Sequence, residues 1–99
     1  MTTPTSAPDT RLPDTTTPRL GRGFRLQWEA AQGNHVLLYP EGMVKLNRSA
    51  GEILTRCTGE AALPQLVADL EAAFGAPDLR GDVERFLALA RQQRWVDWA

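Results

Sequence analysis

The chain has 99 residues, 42% hydrophobic and 23% charged, with a formal net charge of −1. A single domain of this size buries only about 60–65% of the surface its unfolded chain exposes, which excludes a multi-domain enzyme and argues against a deep, enclosed active site. The first eighteen residues hold seven threonines and four prolines but only three apolar side chains, Met1, Ala7 and Leu12. Such a stretch lacks the surface to offset its ordering entropy, so residues 1–18 are expected to form a disordered tail before a domain at 19–99. That domain carries ten Lys/Arg and ten Asp/Glu. Its zero balance argues against a general nucleic-acid binder, which usually shows a basic excess.

The expected compartment is the cytoplasm. Cys57 is the single cysteine, so no disulfide framework can form within the chain. No apolar run nears the ~20 residues of a membrane span, and the Thr/Pro-rich start lacks the basic-then-apolar order of a signal peptide. No membrane partner is expected.

In chain order, Phe24, Leu26 and Trp28 alternate with Arg25, Gln27 and Glu29, the period of a half-buried strand. Gln32-Gly33-Asn34 supplies a turn, and Val36 to Tyr39 is an apolar run too short for a helix. Pro40 and Gly42 fit a tight hairpin turn before a returning strand, Met43 to Leu46, with Val44 and Leu46 on one face and Met43 and Lys45 on the other. Ser49 and Glu52 have capping-box spacing ahead of a stripe of Ala50, Ile53, Leu54 and Cys57, with Gly59 as the stop. Pro64 suits the first turn of a second helix with the stripe Leu63, Leu66, Val67, Leu70 and Phe74, closed by Gly75. Asp78 or Asp82 is the expected cap of a third helix carrying Val83, Phe86, Leu87 and Ala90; Trp95, Val96 and Trp98 close the chain. The fold class is α+β: a three-stranded antiparallel sheet followed by a three-helix cluster, β-β-β-α-α-α and winged-helix-like.

The residues give no catalytic group, cofactor site or metal site. His35 is the single histidine, beside a turn; Cys57 falls on a buried stripe, where a thiol is unreactive; Ser49 is accounted for as a cap. One Cys and one His do not make a zinc site. Gly21-Arg22-Gly23 has the look of a phosphate loop but precedes a strand instead of joining strand to helix. A DNA-binding regulator is the alternative class. Its reading helix would present Glu84, Arg85, Ala88, Leu89, Arg91, Gln92 and Gln93, a mixed set and no basic stripe. The feature left over is the sheet edge at Met43 to Leu46, which has one lysine and no proline to blunt it. An extended peptide can add to such an edge through main-chain hydrogen bonds. Leu89 widens the apolar face of the third helix beyond Phe86, while Leu37, Tyr39 and Met43 leave open a dimer contact, a partner surface or the hairpin's own packing.

Several segments together resemble the pyrroloquinoline quinone (PQQ) biosynthesis protein D family, PqqD. They are Leu38-Tyr39-Pro40-Glu41-Gly42-Met43-Val44-Lys45-Leu46-Asn47, Ala50-Gly51-Glu52-Ile53-Leu54, Cys57-Thr58-Gly59, Asp82-Val83-Glu84-Arg85-Phe86-Leu87 and the Trp95-Val96 end. The match departs at Ala90, where a larger aliphatic is common, and at Arg94, where a glycine often ends the last helix. The resemblance implies a RiPP recognition element, a peptide chaperone with no catalysis of its own. It would bind the precursor peptide PqqA and present it to the radical S-adenosylmethionine enzyme PqqE, with a homodimer as a further possibility. The implied peptide site comprises the third strand and third helix: Met43, Val44, Lys45 and Leu46, with Asp82, Arg85, Phe86 and Leu89. Main-chain pairing is expected along Val44 to Leu46, with Arg85 and Lys45 complementing acidic groups of the peptide.

Overall fold

The computed structural model describes residues 11–99. Three antiparallel strands form the central sheet: β2 (Arg25–Glu29), β3 (Asn34–Tyr39) and β4 (Gly42–Lys45), in the order β2-β3-β4. The expected turns are present, with Gly33 at φ 66 and the Tyr39–Gly42 pair closing over Pro40-Glu41. Register places Leu26, Leu37 and Val44 side by side on one face. Leu37 is fully buried there and belongs to the core. Val36 faces the other way between its cross-strand neighbours Gln27 and Lys45 and is also buried.

Three helices cover the Leu37 face: α1 (Arg48–Thr55), α2 (Leu63–Phe74) and α3 (Arg80–Gln92). The cap of α1 is Asn47, whose side chain accepts a hydrogen bond from the Ala50 N–H at 2.8 Å, and not Ser49 as the spacing had suggested. Asn is as good a cap as Ser, and with α1 starting at Arg48 the cap position falls to Asn47. The helix also ends before Gly59, at Arg56, leaving Cys57 buried just beyond it. Gly51 lies against β3, where a Cβ would sit 2.9 Å from His35 Nδ1. Glycine at this point lets α1 seat on the sheet. Helix α2 behaves as its sequence indicates, with Pro64 in the first turn and Gly75 left-handed at φ 62. Neither Asp78 nor Asp82 caps α3: the cap position is Leu79, whose N–H donates to Glu71 Oε2 at 3.1 Å.

A second, two-stranded sheet ties the ends of the domain. Strand β1 (Pro18–Leu20) pairs antiparallel with β5 (Val96–Trp98). Part of the segment expected to be disordered is therefore ordered. Its first ten residues lie outside the described residues, but the segment from Leu12 onward is packed. Thr16 and Pro18 are buried, the Thr16 carbonyl accepts from the Leu63 N–H at 2.8 Å, and Leu12 contacts the core. Arg80 donates to the Leu12 carbonyl at 2.9 Å and pairs with Asp14 at 2.7 Å. This segment explains a second departure: Glu84, expected on the exposed face of α3, is only 5% exposed. Its carboxylate accepts from the Leu12 N–H at 2.8 Å and meets Arg80 Nε at 3.4 Å, partners that offset the cost of burying charge.

Helix α3 ends in a Schellman turn. The Trp95 N–H donates to the Ala90 carbonyl at 2.8 Å and the Arg94 N–H to the Arg91 carbonyl at 2.9 Å. Arg94 occupies the left-handed position at φ 67, where glycine is favoured. Its carbonyl abuts Gly21, on which a Cβ would lie 2.1 Å from that oxygen. Arg94→Gly is therefore expected to stabilise the domain by about 0.5–1 kcal/mol. Gly21→Ala should destabilise it by about 1–3 kcal/mol through overpacking. Urea denaturation of the two variants checks both signs.

Candidate functional site

Among the described residues no strand pairs with the outer side of β4, so that edge is open. Which backbone groups it offers follows from the β3–β4 ladder. The Leu46 N–H donates to the His35 carbonyl at 3.2 Å, which makes that pair a hydrogen-bonded one. Antiparallel pairs alternate, so Val44 with Leu37 and Gly42 with Tyr39 are also bonded across the ladder. The N–H and C=O groups of Met43 and Lys45 consequently point outward. Pairing along Val44 to Leu46, the sequence expectation, is corrected to this extent: Val44 is bonded to Leu37 across the ladder, and Leu46 spends its N–H on the His35 carbonyl.

Beside the edge runs a groove of about 380 Å³ between β4 and α3. Six of the eight residues expected at the site line it: Val44, Lys45, Leu46, Asp82, Phe86 and Leu89. On α3, Asp82, Phe86 and Leu89 stand at i, i+4 and i+7, one face of the helix. Leu89 is 49% exposed and forms an apolar rim. Met43 and Arg85 do not line the groove. Met43 is 50% exposed, and register puts its side chain on the opposite face of the sheet beside Leu38. Arg85, itself exposed, is already paired with Asp82.

Sequence reading missed part of the lining. Trp95 closes one end, its ring 6.4 Å from that of Phe86, while Ile53 and Ala50 form the floor from α1, with Ser49 and Asn47 beside them. Ile53 and Ala50 carried a signal in their helical stripe, but it marked them as core and did not indicate that their edge would face a groove. Trp95 lies past the end of α3, and only the Schellman turn swings it back. The face of α3 toward the groove is thus apolar with one carboxylate, and carries no basic stripe.

The nucleophilic candidates have structural surroundings. Cys57 is buried, its thiol donates to the Ile53 carbonyl at 3.3 Å, and burial pushes its pKa up to about 12. The His35 ring packs edge-on against Trp28 at 5.1 Å and against Gly51. Among the described residues no group of three or more His, Cys, Asp or Glu is placed to hold a metal ion, and no helix is long and apolar enough to cross a membrane.

Fold and groove together define a small α+β domain whose architecture recurs in known proteins. A solution structure of the PqqD truncation of Methylobacterium extorquens PqqCD, a stand-alone RiPP recognition element, is similar at a TM-score of 0.72 and 30% identity; the match covers 89% of this chain and 96% of that one. The heterocyclase TruD contains a similar fold, with a TM-score of 0.64 at 16% identity over 85% of this chain and 12% of the enzyme. The model of the family Coenzyme PQQ synthesis protein D (PqqD) matches residues 34–96. A "PqqA binding protein" of Azotobacter vinelandii is 51% identical over 81 residues, covering 81% of this chain and 88% of the relative. One from Kluyvera intermedia is 47% identical over 88 residues, covering 86% and 94%. The chain belongs to the PqqD family.

The surroundings of Cys57 have a measurable consequence. The folded thiol titrates far above its ordinary value near 9, so its contribution to stability is complete below pH 9. That contribution falls as pH rises from 9 toward 12, because only the unfolded chain then forms thiolate. A thiol reagent at pH 8 is expected to label Cys57 only at the rate of unfolding; rapid labelling of the folded protein contradicts its burial.

Proposed function

We propose that the chain is a peptide chaperone of PQQ biosynthesis. It binds the precursor peptide PqqA by strand addition to β4 and presents it to the radical S-adenosylmethionine enzyme PqqE, and contributes no catalytic group of its own. The observation that carries this reading is the open β4 edge lying directly beside an apolar groove. The names of the relatives, which are PqqA binding proteins, and the recognition-element fold support it.

In this mechanism the outward N–H and C=O groups of Met43 and Lys45 pair with alternate residues of the peptide backbone and fix its register. Peptide side chains on the inner face then point between Val44 and Leu46 on one wall and Phe86 and Leu89 on the other. Each apolar side chain transferred fully from water contributes about 1.5–3 kcal/mol before ordering costs, so the groove dominates affinity. Charge has a smaller part. Arg85 is engaged by Asp82, which leaves Lys45 as the cation beside the peptide, and an exposed ion pair contributes about 0–1 kcal/mol. Lys45 therefore acts mainly on encounter and register.

The decisive substitution is Lys45→Pro, which deletes an outward N–H that β3 does not use and which an edge strand tolerates. It is expected to weaken PqqA binding at least about tenfold relative to Lys45→Ala, because a peptide carbonyl loses its donor. Leu89→Ala, at a half-exposed position, should also weaken binding while leaving stability within about 0.5 kcal/mol. Calorimetric titration with PqqA peptide, alongside urea denaturation of each variant, reads both effects. Equal affinities for the proline and alanine variants would contradict strand addition.

A further inference from the structure

The sequence Gly21-Arg22-Gly23, for which peptide binding has no use, forms one wall of a second cleft of about 700 Å³. The other walls are the hairpin turn at Tyr39 to Glu41 and the exit of α3 from Arg91 to Asp97. None of its lining residues lines the groove beside β4. Phe24 and Tyr39, with ring centroids 5.5 Å apart, give it an aromatic surface.

Three arginines surround that surface, and they are not equivalent. Arg91 is held in place, with Nε 3.5 Å from Asp97 Oδ1 and its guanidinium 4.9 Å above the Trp98 ring. Asp97 Oδ1 also accepts the Trp98 N–H at 2.8 Å, so this carboxylate is already engaged. Arg22 and Arg94 form no ion pair or side-chain hydrogen bond with any described residue. Glu41 is the remaining acid on the lining.

The backbone at Arg94 adds a separate observation. Its left-handed conformation, φ 67, is one that glycine holds without strain. An arginine there carries a conformational cost in exchange for a charged side chain at the cleft, and strain of this kind clusters at functional sites. A phosphate loop does not fit, because it needs converging free amides. Here the Gly21 N–H is spent on the Trp95 carbonyl at 2.7 Å and the Phe24 N–H on the Gly21 carbonyl at 3.1 Å.

We propose that this cleft docks an acidic segment of a protein partner, with its carboxylates on Arg22 and Arg94 and an apolar or aromatic side chain on Phe24 and Tyr39. The site is independent of the groove, and the two can be filled together. A domain so built holds an extended peptide on one side while it is itself held on another.

The test is an amide NMR titration of the full chain with a synthetic peptide of alternating glutamate and phenylalanine. The matching lysine peptide and inorganic phosphate serve as comparisons. Saturable shifts at Gly21 to Phe24 and Arg94 to Asp97, weakening as salt rises from about 50 to 300 mM, are expected for the acidic peptide alone. Arg22→Ala and Arg94→Gly should each weaken it about three- to fivefold. Since Arg94→Gly is expected to be more stable than the parent, its loss of binding cannot be ascribed to misfolding. Shifts centred on the β4–α3 groove, equal binding of the lysine peptide, the same shifts with phosphate alone, or undiminished binding by Arg94→Gly would each overturn the proposal.

Discussion

The ladder between β3 and β4 sets what the rest of this domain can do. It engages β4 through Gly42, Val44 and Leu46 and leaves Met43 and Lys45 with outward backbone groups. The same pairing fixes the faces. Val44 and Leu46 turn toward the helices, while Met43 shares the outer face with Val36 and Leu38. A one-residue slip would exchange these sets and place the apolar pair in solvent, so burial of Leu37 and Leu46 holds the register alongside the hydrogen bonds.

An open edge is useful only if the helix opposite stays at a fixed distance, and α3 is fixed on two further sides. Val83, Leu87 and Ala90 bury one face in the core. On the reverse face Glu84 and Arg80 bind the segment around Leu12 and Asp14. The helix then exits through a Schellman turn into β5, which pairs with β1. Asp82, Phe86 and Leu89 remain as the face toward the groove. The three sectors of one thirteen-residue helix thus serve core, clamp and groove. With Cys57 deep in the core and His35 packed on Trp28 and Gly51, the nucleophilic side chains belong to the scaffold.

Much of this was legible in the sequence wherever the signal is local. Alternation revealed β2 and β4, the Pro40-Glu41 turn joined the hairpin, and the i+3 spacing put Leu89 beside Phe86, while Asp82 entered the site through the family resemblance alone. What escaped depends on residues far apart in the chain. Strands of three residues have no periodicity to read, and Pro18 finds its partner in Trp98, at the other end of the domain. Glu84 looked like a surface residue because the segment that covers it looked like tail. Ser49 was read as the cap from its spacing to Glu52, but α1 begins at Arg48, ahead of Ser49, with Asn47 as its cap. Arg85 was assigned to the peptide from sequence, although its i,i+3 spacing to Asp82 on one helix is that of the ion pair the two residues form.

The central claim is that β4 receives a strand through the backbone groups of Met43 and Lys45, and amide hydrogen exchange reads those groups directly. In the free protein the N–H groups of Met43 and Lys45 should exchange fast and that of Val44 slowly, since only Val44 is bonded to β3. On addition of PqqA peptide, exchange is expected to slow at Met43 and Lys45 and to change little at Val44. Unchanged exchange at both edge amides in the saturated complex, or protection appearing instead along β2, would contradict the account.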